Sequence, residues 1–317
     1  CITASGLTPA NCSSWWQYRW ISLATVLKLR YGANLMSNLL LGWPNRLYRA
    51  TLSGGNWLSA LPLANLQNGD AAEPARSADL NPASTVIDID LHQAYSLRAL
   101  AVDHHNLSLT ARLRVRLGSA PGLGDIYAGA YEPAWMLTFD NPLLEWEDPS
   151  WWLGTGDAEY RGHPYLSPVI LPAWYTARHV RIEIDDPDNP DGYVDVGRLF
   201  VGGGYVPEVN HSWGIKYGLK DYAIRSTTPN GTRFNSPGRR ERNVQFSLDW
   251  MSDAEAGTVY ELMRRLGTVE EVLCLPDLSD LPRCQRFGFI GTLSELSDIA
   301  HPRFNNNSVN MQIEEWL

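Results

Sequence analysis

The sequence predicts a mainly β protein, and three observations support this. Several short segments alternate apolar and polar residues with a period of two, among them residues 85–91 and 111–117. Only 19% of the residues are charged, while 26 glycines and 20 prolines supply turns. One segment alone, residues 252–267, carries a complete set of helix start and stop signals. The chain of 317 residues is long enough for two domains.

The first predicted domain covers residues 55–204 and is a β-sandwich. Its strands are expected at residues 85–91, 97–102, 111–117, 177–184 and 194–202, with turn signals between them and no helix signal. Residues 1–54 are expected to form an irregular N-terminal extension. Gly202, Gly203 and Gly204 follow a strand but lead into Tyr205-Val206-Pro207, which cannot open a helix, so they indicate a hinge instead of a phosphate loop.

The second predicted domain covers residues 205–317 and combines strands with one helix. Asn230-Gly231 predicts a hairpin turn. A strand at residues 244–250 is followed by a helix that starts at a Ser252/Glu255 capping box and ends at Gly267. Strands are expected at residues 271–275 and 286–292, joined by a polar loop over residues 276–282.

The start of the chain allows two interpretations. The sequence opens at Cys1, its first methionine is Met36, and residues 1–35 contain no acidic residue. Either the natural protein starts at Met36 and the preceding residues are upstream sequence, which we favour, or Cys1 is a processed terminus such as that of a bacterial lipoprotein.

Composition excludes several classes of function. A net charge of −9 and a pI near 5.3 argue against a nucleic-acid surface, which needs clustered Lys and Arg. No apolar run reaches the roughly 20 residues of a membrane span. The four cysteines form no C-x-x-C motif, and Cys274 and Cys284 are expected to be buried free thiols rather than a disulfide. This cysteine usage indicates assembly in a reducing cytosol.

An acidic turn is the candidate metal site. Asp185, Asp186, Asp188 and Asp191 lie within seven residues, and such a density of oxygen atoms suits calcium. The spacing is not that of an EF-hand. A proline-rich acidic turn also forms without a bound metal ion, so this sequence pattern fits either interpretation. Calcium is therefore the one cofactor that the sequence suggests, and no other is expected.

Aromatic residues crowd the segment between the middle strands. Trp146, Trp151, Trp152 and Trp174 are candidates for stacking on sugar rings, since aromatic faces suit sugars. Loop anchoring or a subunit contact uses the same residue types, and we favour that interpretation.

Enzymatic activity is not expected. The adjacent His104 and His105 point to opposite faces of a strand, so they do not share a ligand sphere easily. The sequence contains no G-x-S-x-G, H-E-x-x-H or P-loop motif.

Two resemblances follow from the motifs. Residues 87–102 (IDIDLHQAYSLRALAV), 106–117 (NLSLTARLRVRL), 177–185 (ARHVRIEID) and 196–202 (VGRLFVG) resemble a galactose-binding-like jelly roll. Residues 228–234 (TPNGTRF), 238–250 (GRRERNVQFSLDW) and 311–317 (MQIEEWL) are similar to the distal tail and tail-tube proteins of long-tailed bacteriophages. These resemblances imply a jelly-roll sandwich followed by a tail-tube-like β-sandwich with one flanking helix.

The resemblances imply a structural role without catalysis. The protein is expected to form or decorate the ring that joins the tail tube to the baseplate in a virion assembled in the bacterial cytoplasm. Its expected partners are copies of itself, a hexamer by resemblance, with the tail tube protein, baseplate hub and tape measure protein, and a cell-surface glycan. The alternative is a surface or secreted carbohydrate-binding protein with no role in a ring.

Overall fold

The computed structural model describes residues 38–136, 166–231 and 233–316, which belong to one compact unit spanning Met36–Leu317. Their strands, in chain order, are β1 (Leu40–Gly42), β2 (Thr51–Ser53), β3 (Ala75–Arg76), β4 (Val86–His105), β5 (Arg112–Gly118), β6 (Tyr127–Ala128), β7 (Glu132–Pro133), β8 (Ser167–Asp185), β9 (Asp195–Gly202), β10 (Lys216–Asp221), β11 (Ile224–Thr227), β12 (Arg233–Ser236), β13 (Arg240–Met251), β14 (Glu271–Leu275), β15 (Phe289–Leu293), β16 (Ala300–Arg303) and β17 (Asn306–Glu315). The helices are α1 (Asp253–Leu266) and α2 (Leu281–Phe287), with 3₁₀ turns at Leu47–Arg49 and Leu63–Gln67.

Two long strands build the sandwich. β4 and β8 pair along most of their length, with register shifts between Asp90 and Tyr95 and between Leu97 and Ala99. Before these shifts, β4 also pairs with β2, and the matching part of β8 pairs with β5. Beyond them, β4 pairs with β9. The irregular stretch therefore lets one strand pair contribute to both sheets of the sandwich.

The sandwich core follows the period of two. Inward-facing residues of three neighbouring strands are buried, whereas the charged residues between them form cross-strand pairs on the outer face. Arg181, for example, contacts Asp88 through two hydrogen bonds of 2.6 and 2.7 Å. The inward set is Ile87, Ile89, Leu91, Leu113, Val115, Leu117, Val180, Ile182 and Ile184.

The second sheet has the order β1-β14-β15-β17-β13-β10, with β16 paired to β17. α1 lies on one face, where Val259, Leu262 and Leu266 pack into a core with residues of β13 and β17. The other face meets the sandwich: Phe200 of β9 and Leu273 of β14 belong to one buried cluster. The prediction of a mainly β fold with sandwich-like sheets is confirmed.

The capping signals of α1 are also confirmed. The Ser252 hydroxyl accepts from the backbone N–H of Glu255, and the Glu255 carboxylate accepts from the backbone N–H of Ser252 at 3.1 Å. Gly267 closes the helix with φ +55°, a conformation that favours glycine.

The segment before residue 55 differs from the predicted irregular extension. Leu40–Gly42 is a fully buried edge strand that pairs with β14, and Thr51–Ser53 pairs with β4. The sequence gives little indication of these strands because each is only three residues long, too short for a periodic pattern. Residues 1–37 lie outside the described part of the chain.

The expected loop and strand over residues 276–292 also differ from the structure. Residues 281–287 form α2, and the strand begins only at Phe289. The Asp280 carboxylate accepts from the N–H of Arg283 at the start of this helix, with Pro282 in its first turn. Cys284, on its buried side, and Cys274 are free thiols, as expected.

The predicted hinge at residues 202–204 is a tight packing contact. A Cβ added to Gly202 would lie 2.5 Å from the carbonyl oxygen of Pro44, and one added to Gly204 would lie 2.8 Å from that of Leu41. Leu41 and Tyr205 exchange two backbone hydrogen bonds of 2.9 and 2.8 Å. Glycine is needed because two backbones approach closely.

None of the helices in the described ranges has the length and apolar character of a membrane span.

Candidate functional site

Of the four candidate aromatic residues, the structure describes Trp174. Its side chain lies on β8, is 50% exposed and packs beside Gly203, where an added Cβ would lie 3.2 Å from the indole ring. Trp146, Trp151 and Trp152 lie outside the described residues. A partly exposed indole at the bent part of β8 is therefore what the structure adds to this prediction.

In the acidic turn, the Asp186 side chain stabilises the turn through hydrogen bonds within the protein. Its side chain is buried, and its carboxylate accepts hydrogen bonds from the backbone N–H of Ser108 and from the side-chain amide of Asn189, both at 2.9 Å. The Ser108 hydroxyl also donates to it. Asp188 is exposed and lies 3.5 Å from the hydroxyl of Thr110. This end of the turn is held by hydrogen bonds to residues 106–110.

The remaining two carboxylates point to other partners. Asp185 forms an ion pair with Arg112, and Asp191 accepts from the side-chain amide of Asn106 at 2.9 Å. In the described parts of the chain, no three His, Cys, Asp or Glu side chains converge as metal ligands. The turn thus has protein partners for each carboxylate, and calcium binding there stays a prediction.

The hairpin of β11 and β12, which the Asn230-Gly231 turn predicts, is exposed along its whole length. β11 and β12 pair over four residues each, and all eight residues are exposed. Ile224 stands opposite Ser236, and Ser226 stands opposite Phe234. Ile224 and Phe234 therefore lie diagonally on one face, and their side chains are 71% and 59% exposed.

The other face of this hairpin is basic. Arg225 and Arg233 alternate with the apolar residues, so both project from the face opposite Ile224 and Phe234. A two-stranded hairpin without a buried face is marginally stable in water. Its exposure, its two chemically different faces and its unburied aromatic ring make this hairpin a candidate contact surface.

The strand at the base of the hairpin leaves an edge open. β10 pairs with β13 on one side, and on its other side no strand pairs with it in the described ranges. Leu219 on this edge strand is 70% exposed, and Trp213, just before it, is fully exposed. An unpaired edge is a template for pairing with another chain.

A cleft of about 620 Å³ lies between the sandwich and the second sheet. Its walls come from the segment after β1, the bend of β4, the end of α1, the start of β14 and the segment after β17. The lining side chains combine aromatic and charged groups, with Trp43, Tyr48, Tyr95, Trp316, Arg46, Arg49, Arg265, Glu270 and Glu271 among them. The volume is within the range of ligand clefts in proteins, and the lining carries more charged groups than is usual for such clefts.

Glu271 forms the floor of the cleft. It is buried, and its two carboxylate oxygens accept hydrogen bonds from the side-chain amide of Asn45 and from the Tyr48 hydroxyl, the latter at 2.8 Å. Burial raises the pKa of the Glu271 carboxyl, although both hydrogen bonds lower it. Burial and the adjacent Glu271 raise the pKa of Tyr48, so Tyr48 remains a hydrogen-bond donor.

The cleft is not apparent from the sequence. Five of its residues, Trp43, Asn45, Arg46, Tyr48 and Arg49, lie in a segment that the sequence predicts to be irregular. The signal was the density of aromatic and basic residues in G-W-P-N-R-L-Y-R (residues 42–49). The partners of Trp43, Asn45 and Tyr48 lie more than 200 residues further along the chain, so the local pattern could not predict the site.

No protein-family model and no curated protein matches this chain. Among solved structures, a family 89 glycoside hydrolase from Clostridium perfringens matches 53% of this chain with 14% identity and a TM-score of 0.33. The chain spans 16% of the length of that hydrolase. CBM32-1 from a family 31 glycoside hydrolase of the same organism matches 50% of this chain and 98% of its own length, with 12% identity and a TM-score of 0.30.

A family 32 CBM from C. perfringens in complex with galactose matches 51% of this chain and 98% of its own length, with 11% identity and a TM-score of 0.31. None of these three structures is described as a phage tail protein. At these identities and TM-scores, the matches carry no inference about the ligand, the activity or the assembly of this protein.

Proposed function

We propose that this protein is a structural subunit of a multi-copy assembly, of the kind that joins the tail tube to the baseplate in long-tailed phages. The observation that carries the proposal is the β11–β12 hairpin, in which all eight strand residues are exposed. The ring form, its six copies and its tail-tube, hub and tape measure partners come from the sequence resemblance.

The physical argument concerns the apolar face of the hairpin. In an isolated subunit, Ile224 and Phe234 stand in water, and fully burying each side chain would contribute about 1.5–3 kcal/mol. A neighbouring subunit that covers this face gains that energy, and it also orders a hairpin that is marginally stable alone.

The open edge of β10 supports the same proposal. Identical subunits that contact one another through two different surfaces form closed rings when the rotation between them closes. The hairpin supplies one projecting surface, and the edge strand with Leu219 supplies a second. Pairing with a neighbour would also satisfy the free N–H and C=O groups of that edge.

The test is the mass and shape of the purified protein, measured by light scattering and negative-stain microscopy. The comparison variant replaces residues 223–238 with Asn-Gly. Position 222 suits this replacement because the backbone N–H of Tyr222 donates to the carbonyl oxygen of Arg239, so the two chain ends already lie side by side. We expect rings or other closed oligomers from the natural chain and monomers from the variant. A natural chain that stays monomeric at its highest soluble concentration, alone and with tail tube protein, contradicts the proposal.

Carbohydrate binding by the sandwich is a second candidate function, favoured by the exposed indole of Trp174. The test is a glycan array with the natural chain, a Trp174→Ala variant and a Trp151→Ala, Trp152→Ala double variant. Trp250→Ala is the matched control, because Trp250 is 60% exposed on β13 of the second sheet. Glycan binding that disappears in the first two variants and persists in the control supports this function.

A further inference from the structure

The cleft between the sandwich and the second sheet carries cations without acidic partners. Among the described residues, no carboxylate lies within 4.0 Å of the Arg46 or Arg49 guanidinium. Arg46 instead lies over the ring of Tyr95, 4.1 Å from its centroid. The cleft therefore offers two uncompensated positive charges on a protein whose net charge is −9.

The third guanidinium at the cleft comes from α1. Arg265 lies 5.8 Å from the ring centroid of Trp43, and its only acidic contact in the described chain is Glu261 at 3.6 Å on the solvent face of the helix. Exposed pairs of this kind contribute little and exchange partners easily. Arg265 is thus available to an anion in the cleft.

The acidic residues of the cleft do not cancel these charges. Both carboxylate oxygens of Glu271 accept hydrogen bonds from Asn45 and Tyr48, and the group is buried at the floor. Glu270, in contrast, is exposed, and its carboxylate is an acceptor for hydroxyl donors. The cleft thus separates cationic groups at its walls from an acceptor at its rim.

Aromatic rings line the cleft beside the charged groups. Tyr48 and Trp316 are 38% and 36% exposed, and both line the cleft beside Gly69, where an added Cβ would lie 3.6 Å from the Tyr48 hydroxyl oxygen and 3.5 Å from the Trp316 ring. The face of a sugar ring, with its axial C–H groups, packs on such rings, while its hydroxyls need acceptors and donors around the edge.

We propose that this cleft binds an acidic saccharide, a short sugar chain that carries carboxylate or sulfate groups. The guanidiniums of Arg46, Arg49 and Arg265 bind the anionic groups, the aromatic walls contact the ring faces, and Glu270 accepts from a hydroxyl. A volume of about 620 Å³ accommodates two to three sugar rings by ordinary ligand-site dimensions. This site shares no residue with the hairpin or with Trp174, so it does not depend on either proposed function.

The helix orientation favours a saccharide over a polyphosphate. α1 presents its C-terminal end to the cleft, through Arg265 and the residues after Gly267. The segments that line the cleft include no N-terminus of α1 or α2, so the free backbone N–H groups that bind phosphate at α-helix N-termini are not available there. A single carboxylate, in contrast, is bound by the two parallel N–H donors of one arginine guanidinium.

The test is isothermal titration calorimetry of the full chain with a galacturonic acid trisaccharide and with sialyllactose, each beside its methyl ester. The ester keeps every ring and removes the charge. We expect at least one acid to bind with an affinity that falls with added salt, and its ester to bind about tenfold more weakly or not at all. Binding that is equal for acid and ester, or absent for both acids, overturns the proposal.

Arginine variants locate the site. Arg46→Gln and Arg49→Gln are each expected to weaken acid binding about tenfold, the value of one charge-assisted contact. Arg264→Gln is the matched control, since Arg264 is exposed on the same helix as Arg265 and pairs with Glu261 outside the cleft. The variant that lacks the hairpin should bind like the natural chain. Equal losses in Arg49→Gln and Arg264→Gln would place binding elsewhere and overturn the assignment.

Discussion

The guanidinium of Arg198 on β9 donates to the backbone carbonyl of Trp316 at 2.8 Å, which ties the sandwich to the chain segment that follows β17. Its second terminal nitrogen donates to the carbonyl of Gly69 at 2.5 Å. Arg198 is 2% exposed, and its cross-strand neighbour on β4, Asp103, is fully buried. A buried cation thus joins three distant segments behind the cleft.

Replacing Arg198 with methionine should destabilise the protein strongly. The change removes both hydrogen bonds, which leaves the carbonyls of Trp316 and Gly69 without this donor, and it removes one of the positive charges near Asp103. We expect a loss of about 2–4 kcal/mol in the free energy of unfolding. Urea denaturation at pH 7 measures it. Arg264→Met, an exposed change, should stay within about 0.5 kcal/mol. Adding Asp103→Asn should recover part of the loss, and a loss in Arg198→Met no larger than in the control would contradict this role.

Burial keeps His105 neutral, and its hydrogen bonds fix which ring nitrogen carries the proton. Its Nδ1 accepts from the N–H of Leu107 at 3.3 Å, so the proton sits on Nε2, which donates to the Ser167 hydroxyl at 2.8 Å. Ser167 in turn donates to the carbonyl of Ala134. Burial lowers the pKa of His105 to about 4. A proton on Nδ1 would break the first of these bonds.

This arrangement predicts a loss of stability in acid. Below about pH 6.5 the unfolded chain binds a proton at His105, whereas the folded chain does not until about pH 4. The free energy of unfolding should therefore fall as the pH falls from 6.5 to 4, by up to ~3 kcal/mol from this residue. Urea denaturation at pH 7 and pH 5 measures the difference.

The matched variants for this pH effect are His105→Gln and His301→Gln. Glutamine at position 105 keeps a donor and an acceptor but does not titrate, so the pH dependence should become shallower. His301→Gln, at an exposed position on β16, is the control for replacing a histidine elsewhere in the protein. The same slope in all three proteins would show that His105 does not carry the effect.

The sequence predicts those parts of the fold that depend on residues close together in the chain. The capping box of Ser252 and Glu255 and the cap at Gly267 depend only on neighbouring residues, and the alternation at residues 85–91 depends on one buried face. β14 has no alternation because it lies between α1 on one face and the sandwich on the other, so all five of its residues are buried. Periodicity alone cannot predict which strand will be covered twice.

The cleft could not be predicted for a related reason. Glu271 receives hydrogen bonds from Asn45 and Tyr48, more than 220 residues away in the sequence, and this proximity exists only because β1 pairs with β14. The pairing involves three residues of each strand, too few for a pattern. Likewise, the Asn230-Gly231 turn predicts the hairpin, but nothing local predicts that both of its faces are exposed.

Substitutions in the acidic turn separate a calcium site from a hydrogen-bonded turn. Asp186→Asn removes a buried charge that accepts three hydrogen bonds, so we expect a loss of about 1–3 kcal/mol. Asp188→Asn, at an exposed position, should cost less than about 0.5 kcal/mol. Melting curves with a chelator and with added calcium complete the experiment. Calcium binding predicts a melting temperature that rises with calcium and falls with chelator, and an effect of both substitutions on that rise.

The hairpin provides the sharpest separation of folding from assembly. Because Ile224 and Phe234 are 71% and 59% exposed, the double change Ile224→Ser, Phe234→Ser should alter the free energy of unfolding of the monomer by less than about 1 kcal/mol. Assembly should nevertheless be lost, since the apolar face that a neighbour would cover is gone.

Val269→Ser, at a 75% exposed position outside the hairpin, is the control and should assemble normally. Light scattering measures assembly and urea denaturation measures stability; a double variant that still assembles, or one that loses several kcal/mol as a monomer, would mean that the hairpin packs within its own subunit.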